Sequence, residues 1–171
     1  MYYHKIENTS IANGKGIRVV LWVSGCRVHC KGCHNPQTWD IQSGMYFNKK
    51  AENELLQSLN HSYIQGITFS GGHPLEKENL SKVCKLIKKI RSDFPTKDIW
   101  LYTGYTLNIS NFEKQNDSLL NKVIQECDVI VDGEYIAEMR DISLAYCGSK
   151  NQRIIDVKET IKNKKITLYD I

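Results

Sequence analysis

The chain has 171 residues, 41% hydrophobic and 25% charged, which is enough for one packed core but short of a complete eightfold barrel. Its formal charge of +4 is dispersed, and the densest basic set (Lys82, Lys85, Lys88, Lys89, Arg91) shares a helical stretch with an apolar stripe, so it reads as a solvated helix face rather than a nucleic-acid footprint. No run approaches the ~18 apolar residues of a membrane span and no apolar signal core opens the chain, so a cytoplasmic protein with neither nucleic-acid nor membrane partners is expected.

In chain order, IRVVLWV (Ile17–Val23) is a continuous apolar, β-branched run, as a strand buried on both faces requires. It leads directly into a cysteine-rich loop. Asn48 opens a helical stretch carrying Leu55, Leu56 and Leu59, and GITF (Gly66–Phe69) is a short strand stopped by Gly71-Gly72. Leu80, Val83, Cys84, Ile87 and Ile90 recur on one helical stripe that Pro95 ends. IWLY (Ile99–Tyr102) is the next strand. A helix with Leu119, Leu120, Val123 and Ile124 then precedes VIVDG (Val129–Gly133). RIIDV (Arg153–Val157), a short helix through Ile161 and ITLYDI complete the pattern.

Strands and helices alternate, which predicts an α/β fold with a mostly parallel sheet and no linker within residues 1–171. The polar, glycine-bearing corners fall after strands: the cysteines, Ser70-Gly71-Gly72, Thr103-Gly104-Tyr105 and Asp132-Gly133. Ligands of parallel sheets bind at the carboxyl ends of strands, so these corners form a candidate site.

The sharpest signal is CRVHCKGCHNP, with Cys26, Cys30 and Cys33 spaced C-x3-C-x2-C. A structural zinc wants four closed ligands, usually two pairs. His29 and His34 lie in the same loop, while Cys84, Cys127 and Cys147 have no ligand-spaced companion, so the second pair is missing. A redox dithiol of Cys30 and Cys33 leaves Cys26 unexplained, and Pro36 interrupts the helix expected after such a motif. An iron–sulfur cubane uses all three thiols and leaves one iron open for an exogenous ligand.

This motif after the first strand resembles the radical S-adenosylmethionine (SAM) enzymes. NGKGIR (Asn13–Arg18), GITFSGGHPL (Gly66–Leu75), IWLYTGYT (Ile99–Thr106), DVIVDGEY (Asp128–Tyr135) and GSKNQRIIDV (Gly148–Val157) make the chain similar to the anaerobic ribonucleoside-triphosphate reductase-activating proteins. The resemblance implies an incomplete TIM-like (β/α) barrel of about five to six mostly parallel strands in one radical SAM domain, residues 1–171, with its cluster loop at 26–33. It implies an activating enzyme that cleaves SAM reductively at a [4Fe-4S] cluster and generates a glycyl radical on the large subunit of the anaerobic reductase. Reduced flavodoxin or a similar donor would supply the electron. The alternatives are an activase of another glycyl-radical enzyme, of the pyruvate formate-lyase type, and a non-catalytic zinc-binding interaction module.

Carried over onto this sequence, Cys26, Cys30 and Cys33 would hold the cluster, and Gly32 would place backbone against adenine. Ser70, Gly71 and Gly72 resemble the motif that approaches the SAM amino group, where a Cβ would obstruct. Thr103, Gly104, Tyr105 and Asp132 would supply ribose and carboxylate contacts, and Asn151, Gln152 and Arg153 a late site motif, with Arg153 facing an anionic group. No residue is assigned as a catalytic acid, base or nucleophile. Two positions depart from the family pattern. His73 stands where an acidic residue is normal and brings no negative charge to the SAM ammonium, so the backbone is expected to carry that contact. Cys147 stands where a basic residue is expected. Arg18, after the Gly14/Gly16 turn, also reads as a structural ion-pairing residue.

Overall fold

A computed structural model describes residues 1–113 and 118–171. The chain runs β1 (Tyr2–Ser10), β2 (Arg18–Val23), β3 (Met45–Tyr46), α1 (Lys49–Leu59), β4 (Gly66–Gly71), α2 (Lys77–Asp93), β5 (Asp98–Tyr102), α3 (Leu119–Glu126), β6 (Val129–Asp132), β7 (Arg153–Asp156) and α4 (Val157–Asn163). The strands form one open seven-stranded sheet in the order β3-β1-β2-β4-β5-β6-β7. Strands β2, β4, β5 and β6 are mutually parallel, as the alternation of strand and helix requires. Antiparallel strands flank them: β1 and β3 on one side and β7 on the other. The sheet does not close, as expected of an incomplete barrel.

Side-chain alternation divides the sheet into two faces. Val19, Leu21, Val23, Ile67, Phe69, Ile99, Leu101, Ile130 and Ile155 lie in the main core with the apolar stripes of the helices, including Leu55 and Leu59, Val83 and Ile87, and Val123 and Ile124. The registers Val20–Thr68–Trp100–Val129 and Trp22–Ser70 belong to the opposite face. There Trp100, Val129, Val131 and Ile154 make a second, smaller cluster, against which Tyr102, Tyr146 and Tyr169 pack.

Local chemistry sets the helix starts. Asn48 caps α1 by accepting from the Ala51 N–H at 3.1 Å, Ser118 caps α3 through Asn121 at 3.2 Å, and Asp156 caps α4 through Glu159 at 2.8 Å. Arg18 closes one end of the concave face as a fully buried structural residue. Its guanidinium donates to Thr68 Oγ1, Lys15 O and Ile67 O, each at 2.9 Å, pairs with Asp98 and lies over the Trp100 ring. Among the described residues no helix is long and apolar enough to cross a membrane.

Candidate cluster-binding cleft

The cysteine loop leaves β2 and is closed at its neck by two backbone hydrogen bonds, Gly25 N–H to Thr38 O at 2.7 Å and Cys26 N–H to Trp39 O at 3.0 Å. Within it, Thr38 Oγ1 donates to Asn35 O at 2.7 Å, and the Cys33 N–H bonds back to Cys30 O at 3.1 Å. The loop is therefore a tied unit rather than a free excursion. Cys26, Cys30 and Cys33 all line one cleft of about 320 Å³. Burial pushes the Cys26 and Cys30 thiols up, opposed by the N–H groups of Val28 and His29 at Cys26 and of Tyr135 at Cys30. The Asn35 N–H donates to Cys33 Sγ at 3.3 Å.

The wall beside the cysteines is Ser70, Gly71 and Gly72 at the carboxyl end of β4, joined by Thr103 and Gly104 after β5. The two glycines also have a structural reason. Gly71 has φ of +100°, and a Cβ there would stand 2.7 Å from Val23 O. A Cβ on Gly72 would meet Gly25 O at 2.7 Å. Both clashes are with the end of β2 and the neck of the cysteine loop, so these glycines let the two corners touch, whatever the cleft holds.

His73 turns away from the cleft and is fully buried. Its Nε2 bonds with Thr103 Oγ1 at 2.7 Å, its Nδ1 faces Glu76 Oε1 at 3.4 Å, and the Tyr105 ring meets it edge-on. Burial lowers its pKa despite Glu76, so the imidazole is neutral. Glu76, which precedes α2, accepts from the Arg27 N–H at 2.9 Å and from its guanidinium. Burial alone would push the Glu76 carboxyl up; the Arg27 hydrogen bonds outweigh it and hold the group below the ordinary carboxylate range. An Arg27–Glu76–His73–Thr103 chain thus fastens the cysteine loop to the ends of β4 and β5. The His73 side chain has a supporting role, and its imidazole does not line the cleft.

Three further site candidates, Asp132, Arg153 and Asn151, are engaged by other parts of the chain. Asp132 is fully buried, accepts from Leu107 N–H at 2.8 Å and from Arg153 Nε at 2.9 Å, and pairs with a second nitrogen of Arg153, which also donates to Leu107 O. The pair clamps the loop after β5 to the β6–β7 corner, and neither residue lines the cleft. Asn151 spends its amide on Glu134 O at 2.8 Å and lies behind the rim. Gln152 does line the cleft: its Oε1 accepts from Gly148 and Ser149 N–H, and its amide donates to Gly133 O. Gly32 sits at the outer edge beside Tyr135 and Ala137, and Tyr105 is exposed against His73. Cys147 belongs to the Trp100 cluster, where burial pushes its thiol up to about 11.

Sequence reading missed Glu76, Trp22 and Tyr102. The period-2 alternation that puts Trp22 and Tyr102 on the face of Ser70 was a usable signal, as was the place of Glu76 just before an amphipathic helix. Tyr135 lines the cleft from a loop distant in sequence, for which no local signal exists.

The donor set fits an iron–sulfur cluster. The three thiols share one cleft, and the Asn35 N–H donates to Cys33 Sγ at 3.3 Å, as backbone groups do at cluster thiolates.

Fold and cleft together define an α/β protein built around a cysteine-loop cluster site, and the family model of the 4Fe-4S single cluster domain matches residues 12–155. The anaerobic ribonucleoside-triphosphate reductase-activating protein of Escherichia coli (strain K12) is 40% identical over 154 residues, covering 89% of this chain and 96% of that protein. Those of Vibrio cholerae and of Enterobacteria phage T4 are each 39% identical, covering 90% of this chain and 97% and 93% of theirs. The chain belongs to the family of anaerobic ribonucleoside-triphosphate reductase-activating proteins.

Proposed function

We propose that this protein is a cytoplasmic radical SAM enzyme, a single domain over residues 1–171, that activates the large subunit of an anaerobic ribonucleoside-triphosphate reductase. Reduced flavodoxin or a similar carrier would donate the electron, and neither nucleic acid nor membrane takes part. The chemistry supplied by the bound [4Fe-4S] cluster and SAM is reductive cleavage of the sulfonium C–S bond, giving methionine and a 5′-deoxyadenosyl radical that takes a hydrogen atom from a glycine of the reductase. In this reading Cys26, Cys30 and Cys33 hold three irons, and no fourth cysteine closes the iron that SAM needs. Ser70, Gly71 and Gly72 offer backbone to the SAM amino group. Thr103 and Gly104 border the same space, and the closed neck at Gly25 and Cys26 holds the thiols to this edge of the sheet.

One observation carries the reading: three thiols share one cleft with the Ser70–Gly72 backbone at the carboxyl ends of parallel strands. The test is anaerobic reconstitution with iron and sulfide, followed by dithionite and SAM. Roughly four irons per chain and release of 5′-deoxyadenosine are expected, both lost in Cys30→Ala. One tightly held zinc with no SAM cleavage would contradict the proposal and favour the interaction-module alternative.

A further inference from the structure

Trp39 stands in the wall between the cleft and a shallower hollow on its outer side; Cys26 and Trp39 line both. The residue is fixed from two directions. Its carbonyl accepts the Cys26 N–H at the loop neck, and its indole is stacked by the His29 ring at a centroid distance of 4.6 Å. His29 reaches that position with φ of +51°, in the left-handed region that histidine seldom enters.

The indole Nε1–H nevertheless has neither solvent contact nor a hydrogen-bond partner. The Trp22 indole, which lines the same cleft, donates to Glu7 Oε2 at 3.0 Å. An indole nitrogen can only donate, and a buried donor left unpaired is costly, so the geometry calls for an acceptor that arrives with the site's occupant. The neighbouring wall residue is Cys26, which is held beside Trp39 by its own N–H and lines the same two hollows. Resting on the cluster reading above, we infer that the Trp39 indole N–H donates a hydrogen bond to a cluster sulfur at the Cys26 corner, either the thiolate or an adjoining sulfide, and so helps set the reduction potential. A donor to sulfur stabilises the more negative, reduced state, and its removal makes the cluster harder to reduce.

The test is Trp39→Phe, which keeps an aromatic ring for His29 and removes the N–H. Wild type and variant are reconstituted, assayed for iron, and titrated against a potential scale without SAM, following the EPR signal of the reduced cluster. Equal iron content is expected, with the reduced-to-oxidised ratio at a fixed potential lowered about three- to tenfold, tenfold being about 59 mV for a one-electron couple. Equal iron with an unchanged ratio would overturn the inference, as would a difference that emerges only when SAM is added, since SAM would then be the acceptor. Should the variant fail to load, pulsed EPR on reduced wild type carrying ¹⁵N-indole tryptophan decides. A ¹⁵N coupling to the cluster supports the bond, and its absence removes it. Wild type that takes up no iron would instead sink the cluster reading itself.

Discussion

Asp132 and Arg153 look like ligand contacts in the sequence because each is polar and sits at a strand end. In the fold they satisfy each other, with Leu107 as the third member. Asp132→Asn therefore leaves a guanidinium facing an amide, and the folded protein should lose about 2 kcal/mol. That lies below the usual range for breaking a buried pair, because the Arg153 side chain is 32% exposed and water can relieve it. Urea denaturation checks this: a lowered midpoint is expected, with SAM affinity falling only in step with unfolding. An unchanged midpoint with weakened SAM binding would return Asp132 to the ligand's first contacts. Cys26, Cys30, Cys33, Ser70 and Gly72 were legible because spacing and glycine pairs are local properties of a sequence. The inward turn of His73 was not, since it depends on Glu76 and on Thr103, which follows β5 and is 30 residues away in sequence.

Among the elements, α1 and α2 are pinned by Glu52, which accepts from Lys49 and from Lys82, each at 2.6 Å. These hydrogen bonds outweigh burial and hold the Glu52 carboxyl at about 2, against an ordinary value of 4.5. A carboxylate with a depressed folded pKa contributes stability above its unfolded pKa, and that stability is lost as pH falls through the folded value. The loss should therefore fall between about pH 4.5 and 2. Glu52→Gln should be less stable than wild type by about 1 kcal/mol at neutral pH and equal to it near pH 2. Urea midpoints measured across that range test it, and parallel acid profiles would show that the lysines contribute nothing. Helices α1, α2 and α3 were readable from their apolar stripes and strands β2, β4, β5 and β6 from short apolar runs. Strand β1 was not, because YYHKIENTS buries only Tyr3 and Ser10 and owes its conformation to pairing with β2 and β3. The two-residue β3, Met45-Tyr46, is exposed and too short to show a periodicity.

For the molecule as a whole, the alternation of strand and helix led to a mostly parallel sheet and the family resemblance to one that does not close, and the sheet has that form. The added strands β1 and β3 bring the count to seven, because they are held by antiparallel pairing rather than marked by a buried apolar run. The sheet is open rather than closed into a barrel, as the proposed hydrogen abstraction from a glycine of another polypeptide would require. The most direct test of that central claim is EPR on an anaerobic mixture of the reconstituted protein, SAM, a reductant and an anaerobic ribonucleoside-triphosphate reductase. The account predicts a carbon-centred doublet on the reductase that collapses when its glycines carry deuterium at the α-carbon and is absent with Cys30→Ala. Release of 5′-deoxyadenosine with no radical on the reductase would contradict it.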